Sequence, residues 1–229
     1  MVQQANNGRA GSDSGAGDVA PVERTDRRRE RTRRRLLRAG FDLFGEQGID
    51  GVGIDAIIAR AGISKQTFYN HFADRDSLIG ALRRISRGIF EEAVATANRD
   101  VEDPVRRLVR GVAVYARMAI GDPLHARFVI HAFAHDLHAE RALDRGLEAD
   151  LAAGLAAGRL EFSTMAGAVN FVSGATLALV TSLLQRGDQG PAVAICQETL
   201  MLLLRAFAVG AVAAQRLAAQ TSHDLLQEC

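Results

Sequence analysis

The chain has 229 residues but a single lysine, two cysteines and four prolines. Each scarcity excludes something. Cys196 and Cys229 have neither metal-ligand spacing nor a disulfide framework, so a reduced, cytoplasmic compartment is expected. No segment alternates apolar and polar residues as a half-buried strand does, and no Asn-Gly turn joins two such runs, so an all-α fold is expected. The catalytic signatures are also missing: there is no glycine-rich phosphate loop, dinucleotide fingerprint, nucleophile elbow or paired-carboxylate constellation. Glu91-Glu92 reads as helix surface and Glu102-Asp103 as a cap before Pro104. Neither catalytic residue nor cofactor is expected, and the chain is not read as an enzyme. Residues 1–23 are polar, glycine-rich and aperiodic, which fits a disordered tail and not a signal peptide.

Neither sign of charge prevails overall, since the net charge is +1. The distribution is uneven. Residues 1–87 carry 16 Lys/Arg against 11 Asp/Glu, and residues 88–229 carry 12 against 16. A basic front and an acidic rear suggest a polyanionic partner for the front only. The one long apolar run, Met165 to Leu184, is broken by Asn170, Ser173, Thr176, Thr181 and Ser182 and has no cationic anchor before it. It reads as a buried or interface helix of a bundle, with no membrane partner expected.

Residues 24–38 are dense in arginine and lead into a helical pattern through Leu36, Leu37, Gly40, Phe41 and Phe44. This run is either a solvated helix start or an arm for phosphates or an A·T-rich minor groove. Two short helices follow. Asp55–Ala61 ends at Gly62, a residue suited to positive φ, and Ser64 caps Lys65–Phe72. Two helices joined by Gly62-Ile63-Ser64 make a helix-turn-helix. Longer helices are expected from Asp74 or Asp76 to Asn98, from Pro104 to Ile120, after Asp122-Pro123, along Leu143, Leu147, Leu151 and Leu155, from a cap at Ser163 to Arg186, and from Pro191 to about Ala214.

Within Lys65–His71, Phe68 and Phe72 share an inward face. The other face offers Lys65, Gln66, Thr67, Tyr69, Asn70 and His71. Gln66 and Asn70 suit adenine edges and the Thr67 methyl suits thymine. Tyr69, His71 and Arg75 suit phosphate oxygens. These seven are the expected DNA-binding residues.

Ile54 to Ile79 resembles the DNA-binding segment of the TetR family of transcriptional regulators. Ala61-Gly62-Ile63-Ser64, Thr67-Phe68-Tyr69, His71-Phe72 and Ser77-Leu78 fall in that family's register, and Ala39, Phe41, Leu43, Phe44, Gly48 and Val52 fit the preceding helix. Gly53, Ile58 and Arg75 depart from the pattern. The resemblance covers about residues 28–80. It implies an N-terminal helix-turn-helix three-helix domain (24–75), a helical effector-binding and dimerisation domain (76–219) and a short tail (220–229). It further implies a homodimeric, ligand-responsive regulator, most simply a repressor released from double-stranded, palindromic operator DNA by a small, largely apolar effector. The competing class is a helical small-molecule-binding or membrane-associated protein with a vestigial helix-turn-helix. Salt-dependent DNA binding separates the two.

Candidate effector-binding residues are Phe90, Val112, Tyr115, Met118, Phe128, His131, His135 and Phe171, an aromatic and apolar set with a few polar handles. His131 and His135 have the i, i+4 spacing of two metal ligands, but no Glu follows His131 and Asp136 points to another face, so no metal site is expected. Helices 163–187 and 191–214 are apolar over more than one face, with Leu179 and Leu203 taken as interface positions. They are the expected dimer interface.

Overall fold

The computed structural model describes residues 21–134, 144–186 and 192–226. Among these residues there are ten helices and no strand: α1 (Pro21–Gln47), α2 (Ile54–Ala61), α3 (Lys65–Tyr69), α4 (Arg75–Ala97), α5 (Pro104–Gly121), α6 (Pro123–Ala134), α7 (Asp144–Ala156), α8 (Met165–Arg186), α9 (Ala192–Ala206) and α10 (Ala211–Leu226). The fold is a helix-turn-helix unit joined to a larger helical domain.

Local chemistry explains most of the boundaries. The Asp74 carboxylate accepts the Ser77 backbone N–H at 2.7 Å, and the Ser77 hydroxyl accepts the Asp74 N–H at 3.3 Å, so a reciprocal capping box starts α4. Asp103 caps α5 by accepting from the Val105 and Arg106 amides, with Pro104 in the first turn. Asp122 accepts from the His125 amide at the start of α6. At α8 the cap is Thr164, whose hydroxyl accepts the Gly167 N–H at 3.2 Å, one residue beyond the expected Ser163.

The hydrophobic interior forms two main bodies. α5 packs against α4, α6, α7, α8, α9 and α10, and nearly every side of it is buried. Around it lies a core of small and aliphatic side chains, including Val109, Val112, Leu151, Val172, Leu200 and Leu204. The second core holds Leu36, Phe44, Ile57, Phe68 and Phe72 from the α1–α3 region, with Leu78, Leu82 and Phe90 from α4 and Phe128, Val129 and Ala132 from α6. Packing therefore does not divide at residue 75. One face of α4, as far as Phe90, and one face of α6 complete the front core.

Two elements differ from expectation. The helix expected from Pro191 to Ala214 stops at Ala206. Ala208 takes φ 64° and α10 starts afresh at Ala211. The break is held by tertiary packing: Phe207 is buried against Phe162 and Phe171, and its carbonyl accepts the Glu161 N–H at 3.1 Å. The expected tail at 220–229 is, through Leu226, the end of α10. It packs on α5 with Thr221, Ser222, Leu225 and Leu226 buried. The expected tail at 1–23 falls outside the described residues except for 21–23, which begin α1.

Candidate nucleic-acid interface and effector cleft

Gly62 makes the helix-turn-helix turn. Its φ of 61° is the left-handed cap that closes α2, and its amide bonds the Ala59 carbonyl at 3.2 Å. Ser64 then caps α3 by accepting the Thr67 N–H. Gly53 offers no side-chain cap to α2. From α1, Arg35 Nη2 donates to the carbonyls of Ala61 (2.5 Å) and Gly62 (3.0 Å), which ties the turn down. At the other end of α3, the Arg33 guanidinium lies 4.7 Å from the centre of the Phe72 ring.

The seven expected DNA-binding residues do not share one environment. Lys65, Gln66, Tyr69 and Asn70 are exposed, and Tyr69 stands 46% exposed with its ring edge-on to Phe68. Gln66 Nε2 donates to Asn70 Oδ1 at 3.3 Å, and Lys65 Nζ sits 3.6 Å from the Asp55 carboxylate. Both pairs are on the surface and open to exchange with nucleic acid. Thr67 is half-buried, with its hydroxyl 2.8 Å from that of Ser64. His71 is half-buried too. Burial, with help from the positive charges of Arg29 and Arg33, holds its imidazole below the usual value, so at neutral pH it is uncharged.

Arg75 departs from its expected role. Its guanidinium turns inward, donating to the carbonyls of Val52 (2.8 Å) and Ile49, and packs over the Phe44 ring. It fastens the turn between α1 and α2, and its charge meets Asp76 at 4.0 Å. The positive charge seen in the sequence is spent on backbone carbonyls of that turn.

Behind this unit runs an aromatic seam. Phe41 of α1 packs on Phe128 and His125 of α6, both at 4.7 Å, and Phe90 of α4 stacks on Tyr115 of α5 at 4.5 Å. His125 is 5% exposed and its Nε2 has no hydrogen-bond partner among the described residues; burial pulls its imidazole below the usual range, against the opposing pull of Asp122. At Gly45 a Cβ would lie 2.8 Å from the Leu124 carbonyl oxygen, so only glycine lets α6 cross α1 so closely. One turn on, the His131 ring lies over Gly48.

The expected effector residues do not form a single wall. Val112 is inside the large core, Phe90 and Tyr115 stack on each other, and Met118 lies between the two cores. Phe128 is fully buried against Phe41 and Phe44 of the front unit. Phe171 is 45% exposed on α8, edge-on to Phe207. His135 lies outside the described residues. Of the seven described, His131 alone lines the cleft between α6 and α8, a space of about 390 Å³ bounded also by Arg127, Ile130, Thr181, Leu184 and Gln185. Arg127 was discoverable, being four residues before His131 on the same helix face. Thr181, Leu184 and Gln185 come from a helix fifty residues later, and nothing local marks them. No group of three or more His, Cys, Asp or Glu is placed to hold a metal among the described residues.

Fold and surface together define a helix-turn-helix protein with a separate helical domain behind it. The family profile described as "Bacterial regulatory proteins, tetR family" matches residues 36–82. The segment that matches this profile is the helix-turn-helix region, where the sequence resemblance lies. Over 80 residues the chain is 32% identical to the HTH-type transcriptional repressor DhaR of Mycobacterium sp. (strain GP1), a match spanning 33% of this chain and 39% of that protein. It is 31% identical over 80 residues to the HTH-type transcriptional regulator BetI of Stenotrophomonas maltophilia (strain R551-3), spanning 35% and 41%. The match thus spans less than half the length of either curated relative. Similarity of fold extends further. The structure of RolR in complex with resorcinol aligns with a TM-score of 0.63 at 28% identity, covering 85% of this chain and 96% of that one. A γ-butyrolactone receptor structure aligns with a TM-score of 0.63 at 18% identity, covering 86% and 99%.

Proposed function

We propose that this protein is a ligand-responsive transcriptional regulator, a repressor that binds palindromic operator DNA as a homodimer and is released by a small molecule. The observation that carries the reading is the exposed face of α3. Lys65, Gln66, Tyr69 and Asn70 project from a helix whose other face, Phe68, is fully buried and which is tied at both ends to α1. A rigid helix presenting amides and an amine suits major-groove base edges and flanking phosphates. The repressor and regulator descriptions of the two curated relatives support this role.

The homodimer would form through the outward faces of α8 and α9. Gly167, Phe171, Gly174 and Ala178 make one exposed stripe on α8, and Leu202, 58% exposed, lies on α9. By length and composition α8 is able to span a membrane, and 33% of its most apolar window is buried. Its Asn170, Ser173 and Thr181, and its packing on α5, α6, α7 and α9, favour a second copy over lipid as the cover.

The effector would enter between α6 and α8. Arg127, His131, Thr181 and Gln185 supply polar groups beside Ile130 and Leu184, which suits a small molecule with an apolar body and a hydrogen-bonding edge. That RolR is known with resorcinol bound supports this size and chemistry. His131 lines the cleft and α6 packs along α1, so a ligand that shifts α6 also shifts α1. Two recognition helices must meet successive major grooves about 34–36 Å apart, so a tilt weakens operator binding. Such a regulator works in the cytoplasm.

The test is a gel-shift with DNA upstream of the protein's own coding sequence. Tyr69→Ala and Gln66→Ala should lose binding while the dimer persists, with Gln66→Ala also relaxing base preference. Identical footprints for both variants and the wild type would sink the assignment. Release is tested by calorimetry. A releasing compound and operator DNA must weaken each other's binding by one common factor, typically about 5–150-fold.

A further inference from the structure

We infer that the first turns of α1 are a second DNA-binding element, a helical rail of arginines that grips phosphates beside the half-site read by α3. This rests on the DNA-binding reading above and goes beyond its α3 face. Both ends of α3 are tied to α1 within three residues, the preceding turn by Arg35 and the following Phe72 by Arg33. From Asp26 on, the first buried residue of α1 is Leu36, whereas the helix begins at Pro21. At 1.5 Å per residue, the twelve residues before Arg33 project about 18 Å past the recognition helix.

That overhang is polar and basic. Residues 26–34 hold six arginines against Asp26 and Glu30, and Glu30 is already paired with Arg34 at 3.0 Å. Arg28, Arg29 and Arg31 are exposed, and their guanidinium groups have no hydrogen-bond or ion-pair partner among the described residues. Helical spacing sorts them. Arg28 and Arg31 stand seven and four residues before Arg35, on the edge that meets the turn before α3. Arg29 stands four before Arg33, on the side facing His71, whose imidazole feels both charges. Unpaired arginines therefore flank α3 toward both of its ends.

Helicity decides what they hold. An α-helix with side chains is about 10–12 Å across, and the B-DNA minor groove is about 6 Å wide. A helical overhang does not enter that groove as an extended arm does. It lies across the backbone, where guanidinium forks meet phosphate oxygens. Such pairing adds affinity and salt dependence but carries no sequence information.

The experiment uses the full chain and compares Arg28→Gln/Arg31→Gln with Arg28→Lys/Arg31→Lys. Arg106→Gln, an exposed arginine of α5, serves as the control for net charge. Binding to operator and to unrelated duplex is measured across a salt series. For the glutamine variant the slope of log K against log salt should fall in magnitude by about 0.9 for each phosphate that is no longer neutralised. Affinity for both DNAs should drop by the same factor, while the lysine variant and the control keep the wild-type slope. An unchanged slope in the glutamine variant overturns the inference, and so does a loss confined to the operator, which would mean base reading. Failure of the wild type to bind any DNA would instead refute the function proposed above.

Discussion

The two cores are made of different material. The front core encloses Phe44, Phe68, Phe72, Phe90 and Phe128, whereas the rear core has Phe207 and otherwise Val, Leu, Ala and Cys196. A unit of one long and two short helices has little interior to offer, and a ring buries about 150–250 Å² at one position. Large rings let α2 and α3, of eight and five residues, be held by very few side chains. The rear domain has long helices and needs no such anchors. Its small side chains allow close helix approach. In the function we propose, the ring-anchored half is the one that would match a groove and the small-residue half the one that would admit a ligand.

Substitutions sharpen the contrast. The largest effect is expected at two neighbouring residues of α9. Leu203 is 1% exposed and Leu202 58%, so Leu203 faces the core and is no interface position, as is also true of Leu179 at 2%. Leu203→Arg buries an unpaired charge and should abolish folding. Leu202→Arg should leave the helical signal intact and yield monomers that no longer bind operator. Circular dichroism with light scattering checks both, and a folded Leu203→Arg protein would contradict the packing.

Next comes Phe68→Ala, at a site with no exposure. Removing a buried ring costs about 3–5 kcal/mol. The loss should fall on α2 and α3, seen as lost protection from hydrogen exchange there, with α5 and α10 still protected. Uniform loss across the chain would show one cooperative body. Arg75→Ala is smaller, about 1–3 kcal/mol, because buried carbonyls of Ile49 and Val52 lose their donor. It should lower stability in denaturant, and its effect on the salt dependence of DNA binding should be slight, since the side chain points inward.

The smallest effect concerns pH and the seam between the cores. The His125 imidazole is held below its ordinary value in the folded state, so the unfolded chain takes up a proton first as pH falls. Stability is then full above about pH 6.5 and declines below it, until the folded pKa is reached. His125→Phe should flatten that decline. An equally steep acid limb in the variant would assign the effect to other groups, His71 first among them.

The legibility of the molecule follows the range of the interactions. Gly62, Ser64, Asp74 and Asp103 act on neighbours within three residues, so the turn and caps were readable directly. The exposed Lys65–Asn70 face followed from one helical period. Arg75 was misread because its partners, Ile49 and Val52, lie more than twenty residues back. The effector wall was not legible because an apolar residue at helical spacing looks the same whether it faces a cavity, as Ile130 does, a core, as Val112 does, or a partner, as we propose for Phe171.

The sequence by itself determined the all-α class, the helix-turn-helix and its register, because propensity, capping and a 3.6-residue period act locally. Tertiary structure decided the break at Ala208, the docking of α10 on α5, the sharing of α4 and α6 between two cores, and the cleft beside His131. Ala208 takes a left-handed conformation that costs an alanine roughly 1–2 kcal/mol, and there it closes α9, with the Ala208 and Val209 amides bonding the Arg205 and Leu204 carbonyls. It is stabilised by Phe207, whose ring and carbonyl are engaged by residues more than thirty positions away. A period of 3.6 says which residues share a face; only the packed chain says what that face meets.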